Sequence, residues 1–244
     1  MFCARLWVMP GNIDEISVFF PAYNEEKNIK NTVLSAKSVL EKTFKKWEII
    51  IVNDGSTDKT REISEEISRD DKRVIVKNHE PNRGYGASLK TGFYSSKYPW
   101  IVFTDSDGQF DFSEIKNFVT TQKETDADLV IGFYRDRKVS LSKKVTSKMW
   151  EYLVFFLFGL KVKDIDCGFK LVSKNVIQGI SKLESERGAF ISSEFLIKAK
   201  KKGYKIVEIP VTHKPRLMGV GTGRKLDVII QSFKDLFKLW KKLN

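Results

Sequence analysis

The sequence predicts an α/β protein with a mostly parallel sheet and helices on both of its faces. Two observations carry this. Short apolar, β-type runs recur at 16–20, 48–53, 73–77, 100–104 and 128–132, and each ends in a polar, turn-rich segment. Helix-period stretches stand between them, and alternation with short connections builds a parallel sheet buried on both sides. The length of 244 residues suits one large domain spanning 1–244, with 225–244 as a C-terminal amphipathic helix.

The first run leads to Asn24, placed to cap a helix whose first turn holds Glu25 and Glu26 and whose apolar face is Ile29, Val33, Ala36 and Leu40. The second ends in Asp54-Gly-Ser-Thr-Asp58 before a helix marked by Ile63 and Ile67. The third leads to Asn82-Arg-Gly-Tyr-Gly-Ala87 and a helix reaching Ser96. The fourth ends in Asp105-Ser-Asp107-Gly-Gln109, and a helix near 113–123 precedes the fifth. Ligands of such sheets gather at the carboxyl ends of the strands. The polar segments therefore share one edge, and that edge is the expected site.

At that edge Asp105 and Asp107 stand two residues apart, with Gly108 letting the backbone bend. Hard carboxylate oxygens in this arrangement suit Mg²⁺ or Mn²⁺ shared with a phosphate, whereas an Asp-x-Asp alone is more often a polar turn. Other phosphate and catalytic motifs fail. Leu89 occupies the last glycine position of a dinucleotide fingerprint, and no phosphate-binding loop ending in Gly-Lys-Ser/Thr occurs. Phe110 and Lys116 break an EF-hand loop. His79 and His213 are the only histidines, too few for most triads, and each reads as structural.

The net charge of +12 points to an anionic partner: a nucleic acid, a nucleotide or phosphate substrate, or an anionic membrane. Basic residues cluster after residue 134, which argues against a nucleic-acid surface. Two cysteines, Cys3 and Cys167, fit a reduced compartment and no zinc spacing. No signal peptide is read, and the longest apolar run, 152–160, is about half of a spanning helix. The expectation is a cytoplasmic protein, free or peripheral on the inner, cytosolic face of a membrane.

Four blocks, Pro21-Ala-Tyr23-Asn24-Glu25, Val52-Asn-Asp54-Gly-Ser56-Thr-Asp58, Asn82-Arg-Gly84-Tyr-Gly86-Ala and Asp105-Ser-Asp107-Gly-Gln109, together resemble the family 2 glycosyltransferases of GT-A fold. Asp164-Ile-Asp-Cys167-Gly168-Phe169-Lys170, Glu194 and Glu208-Ile-Pro210-Val extend the resemblance to the dolichyl-phosphate mannose synthase and polyprenyl-phosphate glucosyltransferase branch. The resemblance covers about 15–225 and implies an inverting, metal-dependent hexosyltransferase. Its donor would be UDP-glucose or GDP-mannose, and its acceptor dolichyl or undecaprenyl phosphate; the alternative is a soluble or glycan acceptor. It implies that Pro21, Tyr23 and Glu25 hold the nucleoside and that Asp54 contacts the base. Gly84 and Gly86 would let the chain pass close to the donor. Asp105 and Asp107 would bind the metal, with Gln109 as a further ligand. Arg216 carries over as a catalytic cation on a glycine-rich lid, and Glu194 as a residue near the sugar. Asp58 is open between donor contact and helix cap.

Arg135, Arg137, Lys143, Lys144 and Lys225 are the candidate phosphate contacts, with Arg135 or Arg137 at the family's arginine position. A helix over 141–160 carries Val145, Met149, Tyr152, Leu153 and Phe156 on one side. A second amphipathic helix carries Leu226, Ile229, Ile230, Phe233, Leu236, Phe237 and Trp240, with lysines elsewhere. Either helix suits a bilayer surface or the core. Residues 205–211 read as a strand returning to the site.

Overall fold

The computed structural model describes residues 13–135, 141–186, 188, 190–215 and 226–243, with side chains left out at 141–144 and 226–229. Seven strands form one sheet: β1 (Glu15–Ala22), β2 (Lys46–Asn53), β3 (Val74–Asn78), β4 (Trp100–Phe103), β5 (Leu129–Tyr134), β6 (Lys170–Ser173) and β7 (Ile206–Val211). Their order is β3-β2-β1-β4-β6-β5-β7. β6 pairs antiparallel with both neighbours, and the other pairs are parallel.

Successive strand residues feed opposite cores. Val18, Phe20, Ile49 and Ile51 pack toward α1 (Ile29–Thr43), α2 (Thr60–Asp70) and α4 (Ile115–Thr125). Phe19, Ile50 and Val52 pack toward α3 (Tyr85–Ser95), α5 (Leu141–Phe158), α6 (Lys174–Gly179), α7 (Phe190–Lys201) and α8 (Leu226–Leu243). Burial on both faces explains why these strands are unbroken apolar runs, not alternating ones.

One local reading is corrected, and two elements lie where the sequence predicted none. First, α1 starts at Ile29, not after Asn24. Asn24 takes the left-handed conformation (φ 55°), and its side-chain Oδ1 accepts from the Thr57 amide at 2.8 Å, so it ties two loops together instead of capping a helix. Glu25 and Glu26 accordingly precede the helix. Second, β6 escapes an apolar reading because it is four residues long and begins with Lys170, which is fully buried. Third, α7 has almost no polar face to read. Ten consecutive residues from Phe190 to Ala199 are buried, including Ser192, Ser193, Glu194 and Lys198.

The two amphipathic helices divide between core and surface. Val154 and Phe158 of α5, with Leu236 and Leu239 of α8, are buried. Met149, Tyr152, Phe155 and Phe156 of α5 and Ile230, Phe233, Phe237 and Trp240 of α8 are exposed. Trp150 joins the helices: its indole meets the Phe233 ring edge-on at 5.3 Å, and its Nε1 donates to Ser193 Oγ on α7 at 3.0 Å. No helix among the described residues is long and apolar enough to cross a membrane.

Candidate active site

Parallel strands β1 to β4 end at one edge, and antiparallel β6 starts there, because Phe103 and Ile131 both pair with Lys170. The segments 23–26, 54–58, 79–84 and 105–109, together with 164–169, therefore meet.

Asp105 and Asp107 follow β4 on a turn completed by Gly108 at φ +73°. Between them Ser106 is buried: its hydroxyl donates to the Pro21 carbonyl at 2.7 Å, and its own carbonyl accepts from Thr32 Oγ1 at 3.1 Å. The turn is thus anchored to β1 and α1 through the residue facing inward, while both carboxylates stay half-buried. Asp107 Oδ1 accepts from the Gln109 amide at 3.1 Å. Gln109 exchanges bonds with Lys214, its Nε2 donating to the Lys214 carbonyl at 2.8 Å and its carbonyl accepting from the Lys214 amide at 2.8 Å. This returns the chain after β7 to the site, where His213 packs edge-on to Phe110 and Tyr134.

Asp105 is confined further. The Tyr85 hydroxyl donates to its Oδ1 at 3.2 Å. Burial, followed by the Asp105 charge, raises the Tyr85 phenol well above its ordinary value, so it remains a protonated donor. On the other side the carboxylate lies against Gly168, where a Cβ would meet Asp105 Oδ2 at 2.3 Å. Lys170 sits beneath this group. Its ammonium donates to the carbonyls of Ile165 and Cys167 and lies 5.1 Å from the centre of the Phe103 ring. Desolvation lowers its pKa, opposed by the charges of Asp164, Asp166 and Asp105. Burial pushes the neighbouring Cys167 thiol up to about 12, which makes it a packing residue and not a nucleophile.

Two half-buried carboxylates and an amide oxygen on one turn form a hard, oxygen-only donor set. No group of three or more His, Cys, Asp and Glu ligands occurs among the described residues. The donor set of Asp105, Asp107 and Gln109 fits Mg²⁺ or Mn²⁺, which bind through one or two carboxylates and leave positions for water and substrate phosphate. Asp105, Asp107 and Gln109 are the residues here that would hold such an ion.

Tyr23 is 38% exposed at this edge, whereas Pro21 and Glu25 are buried. Asp54, expected at the base, has its carboxylate bonded within the protein. It is 4% exposed and turned into the protein. Its Oδ1 accepts from the Arg83 amide at 3.0 Å and lies 2.6 Å from His79 Nδ1, and its Oδ2 accepts from the Gly84 amide at 2.8 Å. It shapes the 82–84 turn, and the other nitrogen of His79 is 2.8 Å from Thr91 Oγ1, consistent with the structural reading of that histidine. Gly84, at φ +97°, needs its glycine for the bend. Gly86 needs its own for a different close approach from the one expected: a Cβ there would lie 2.7 and 2.8 Å from the carbonyl oxygens of Ser185 and Glu186. Asp58 accepts from the Thr60 amide at 2.9 Å, at the start of α2, and from the Glu26 amide at 3.1 Å.

Arg135 is exposed at the end of β5, with its amide bonded to the Val211 carbonyl at 3.2 Å. Arg137, Arg216 and Lys225 lie outside the described residues, as do the side chains of Lys143 and Lys144. Glu194 is not poised over an open site. It is 2% exposed, and its oxygens accept from the Glu184 and Ser185 amides and from Lys198. Tyr85, Gly168 and Lys170 enter the site only through the tertiary structure. The sequence block 164–170 pointed to their neighbourhood, but nothing in it showed that Gly168 touches Asp105.

Comparison with known proteins matches residues 17–180 to the family model described as glycosyl transferase family 2. The chain is 31% identical over 222 residues to the dolichyl-phosphate beta-glucosyltransferase of Saccharomyces cerevisiae, covering 81% of this chain and 66% of that protein. It is 27% identical over 208 residues to glycosyltransferase AglD of Haloferax volcanii, covering 83% of this chain but only 33% of that protein. The chain thus spans about a third to two thirds of the length of these relatives. Among solved structures, glucosyl-3-phosphoglycerate synthase of Mycobacterium tuberculosis, in complex with UDP, superposes with a TM-score of 0.69 at 18% identity, covering 99% of this chain and 86% of that one. Another structure of that enzyme holds Mn²⁺, UDP and phosphoglyceric acid.

Proposed function

The chain belongs to glycosyl transferase family 2 and has the GT-A fold, and from that premise we propose that it moves a hexose from a nucleoside-diphosphate sugar to a polyprenyl phosphate. The observation that carries the reading is the Asp105–Asp107 turn, held by Ser106, Tyr85 and Gly168 at the edge where Asp54 folds the 82–84 turn. The identity to a dolichyl-phosphate beta-glucosyltransferase supports the lipid acceptor.

Departure of the sugar leaves negative charge on the diphosphate, and a divalent ion, when bound, offsets it. The chain's own part is to hold the groups still. Asp105, Asp107 and Gln109 face the diphosphate, Tyr85 keeps Asp105 oriented by donating to it, and Tyr23, exposed beside the buried Glu25, flanks the nucleoside. The acceptor phosphate is already largely ionised near neutral pH, since its second pKa is about 6. It therefore calls for cations more than for a general base, and Arg135, Arg137, Lys143, Lys144, Lys225 and Arg216 are the candidates. Attack of its oxygen on the anomeric carbon forms the new C–O bond as the bond to the diphosphate breaks, and inverts the centre. A soluble phosphorylated acceptor is the second reading, favoured by the likeness to glucosyl-3-phosphoglycerate synthase.

Radiolabelled UDP-glucose and GDP-mannose, each offered with a short polyprenyl phosphate, test the reading. Label is expected in the lipid fraction with one donor, with Mg²⁺ or Mn²⁺ present, and is expected to vanish on chelation. Label passing only to a soluble phosphorylated acceptor would replace the lipid reading with the second one.

A lipid acceptor also calls for a membrane contact. The exposed apolar residues of α5 and α8 adjoin through Trp150 and Phe233, and a shallow groove on α8 is lined by Ile230, Phe233 and Phe237 with Lys234, Lys238 and Lys241. Apolar residues flanked by lysines suit an anionic bilayer on the cytosolic side. Phe237→Glu, at an exposed position, is expected to weaken binding to phosphatidylglycerol vesicles roughly tenfold in flotation assays. Undiminished binding would remove α8 from the membrane contact.

A further inference from the structure

We propose that Glu194 is a positioning residue for the sugar donor, acting with Lys198 through the strap 182–186 on the Gly84–Gly86 turn. The inference rests on the reading of that turn as part of the donor site.

Glu194 and Lys198 stand one helical turn apart on α7, each 2% exposed, with Lys198 Nζ 2.6 Å from Glu194 Oε1. A buried ion pair is weak evidence for stability, because desolvation of both ions offsets their attraction. What this pair does beyond neutralising itself is hold main chain. Glu194 Oε1 accepts from the Glu184 amide at 2.8 Å, and Oε2 accepts from the Ser185 amide at 2.9 Å. Lys198 donates to the Lys182 carbonyl at 2.7 Å. Both carboxylate oxygens are occupied and buried, which does not suit a general base.

The strap passes this order on to α3. The carbonyls of Ser185 and Glu186 fill the space a Gly86 side chain would need. The Glu186 carbonyl accepts from the Ala87 amide at 3.0 Å, one of the four amides that the start of a helix leaves without helical partners. The Glu186 carboxylate takes Lys90 at 2.8 Å and Arg83 at 3.3 Å. Asp54 grips the same turn from the sheet side. The turn is therefore set between two carboxylates, Asp54 on one side and Glu194, acting through the strap, on the other.

Glu194→Gln in the full chain tests this, because the amide keeps the shape but turns an N–H₂ group toward a strap amide or Lys198. The donor KM is expected to rise roughly tenfold while kcat stays within about twofold, the signature of lost uniform binding. Amide hydrogen exchange is expected to quicken at 83–87 as well as at 182–186. Faster exchange confined to the strap, with an unchanged donor KM, would overturn the proposal. So would a fall in kcat at constant KM, which would place Glu194 in the chemistry. Should Glu194→Gln fail to fold, Glu186→Gln removes only the exposed ties to Lys90 and Arg83; it is expected to shift KM and the 83–87 exchange the same way, and no shift in either would overturn the proposal. Gly84→Ala separates the two levels. If it too leaves the donor KM unchanged, the donor reading of the turn has failed; if it raises KM and Glu194→Gln does not, only the strap proposal has.

Discussion

Asp107→Asn is expected to lower sugar transfer by about a hundredfold or more with the fold unchanged, the scale at which loss of a single group stabilising transition-state charge is felt. The substitution keeps the side chain's volume and an oxygen able to accept from the Gln109 amide. The turn itself is held by Ser106 through Pro21 and Thr32, and neither bond involves Asp107. What disappears is one negative charge from an oxygen donor set of two carboxylates and an amide. Transfer rates with Mn²⁺ titrated, alongside a thermal melt, check the result. Loss of affinity for Mn²⁺ with an unchanged melting curve is the expected pair of findings. Unchanged turnover would remove Asp107 from the site.

Gly168→Ala is expected to approach that effect without replacing any charged group. Its Cβ would lie 2.3 Å from Oδ2, 2.7 Å from Cγ and 3.0 Å from Oδ1 of Asp105. A short aspartate cannot swing far, because Tyr85 holds Oδ1 and the Ser106 turn fixes the backbone. The carboxylate must move from its position. Changes in residues that orient a metal ligand typically cost about 10- to 100-fold in metal affinity or activity, and that is the expected loss here. Overpacking adds about 1–3 kcal/mol of destabilisation, measurable by urea unfolding. Full activity at saturating Mn²⁺ and at trace Mn²⁺ alike would mean that the Asp105 carboxylate is free to relocate.

The legible parts of this chain are those in which local chemistry and tertiary role coincide. β1, β2, β4 and β5 read as strands because burial on both faces requires continuous apolar runs, and α1 reads from Ile29, Val33, Ala36 and Leu40 because it shows one face to the core. β6 and α7 were hidden for the opposite reason. A strand beginning with a buried lysine and a helix that buries Ser192, Ser193, Glu194 and Lys198 defy hydrophobic patterning, since Lys170 is satisfied by the carbonyls of Ile165 and Cys167, Ser193 by Trp150, and Glu194 and Lys198 by each other and by the 182–185 main chain.

The site divides in the same way. Asp105 and Asp107 were visible because two acids after a strand, followed by a glycine, form a recognisable local pattern. Asp54 was visible as a residue, but its role was not. Its carboxylate reaches Arg83 and Gly84 rather than open space, and those contacts span 29 and 30 residues. Gly86 was read as room for a ligand, and that room is filled by the strap, a hundred residues further along the chain.

The sequence by itself determined the alternating α/β plan, the edge on which ligands gather, the acidic pair and the family, because these follow from periodicity and from short motifs whose chemistry is local. Only the tertiary structure decided which glycine guards Asp105, which way Asp54 faces, what Glu194 holds and which faces of α5 and α8 remain exposed. Those outcomes depend on the packing of segments distant in sequence, where a hydrogen bond or a missing Cβ acts across the fold and leaves no trace in the residues on either side.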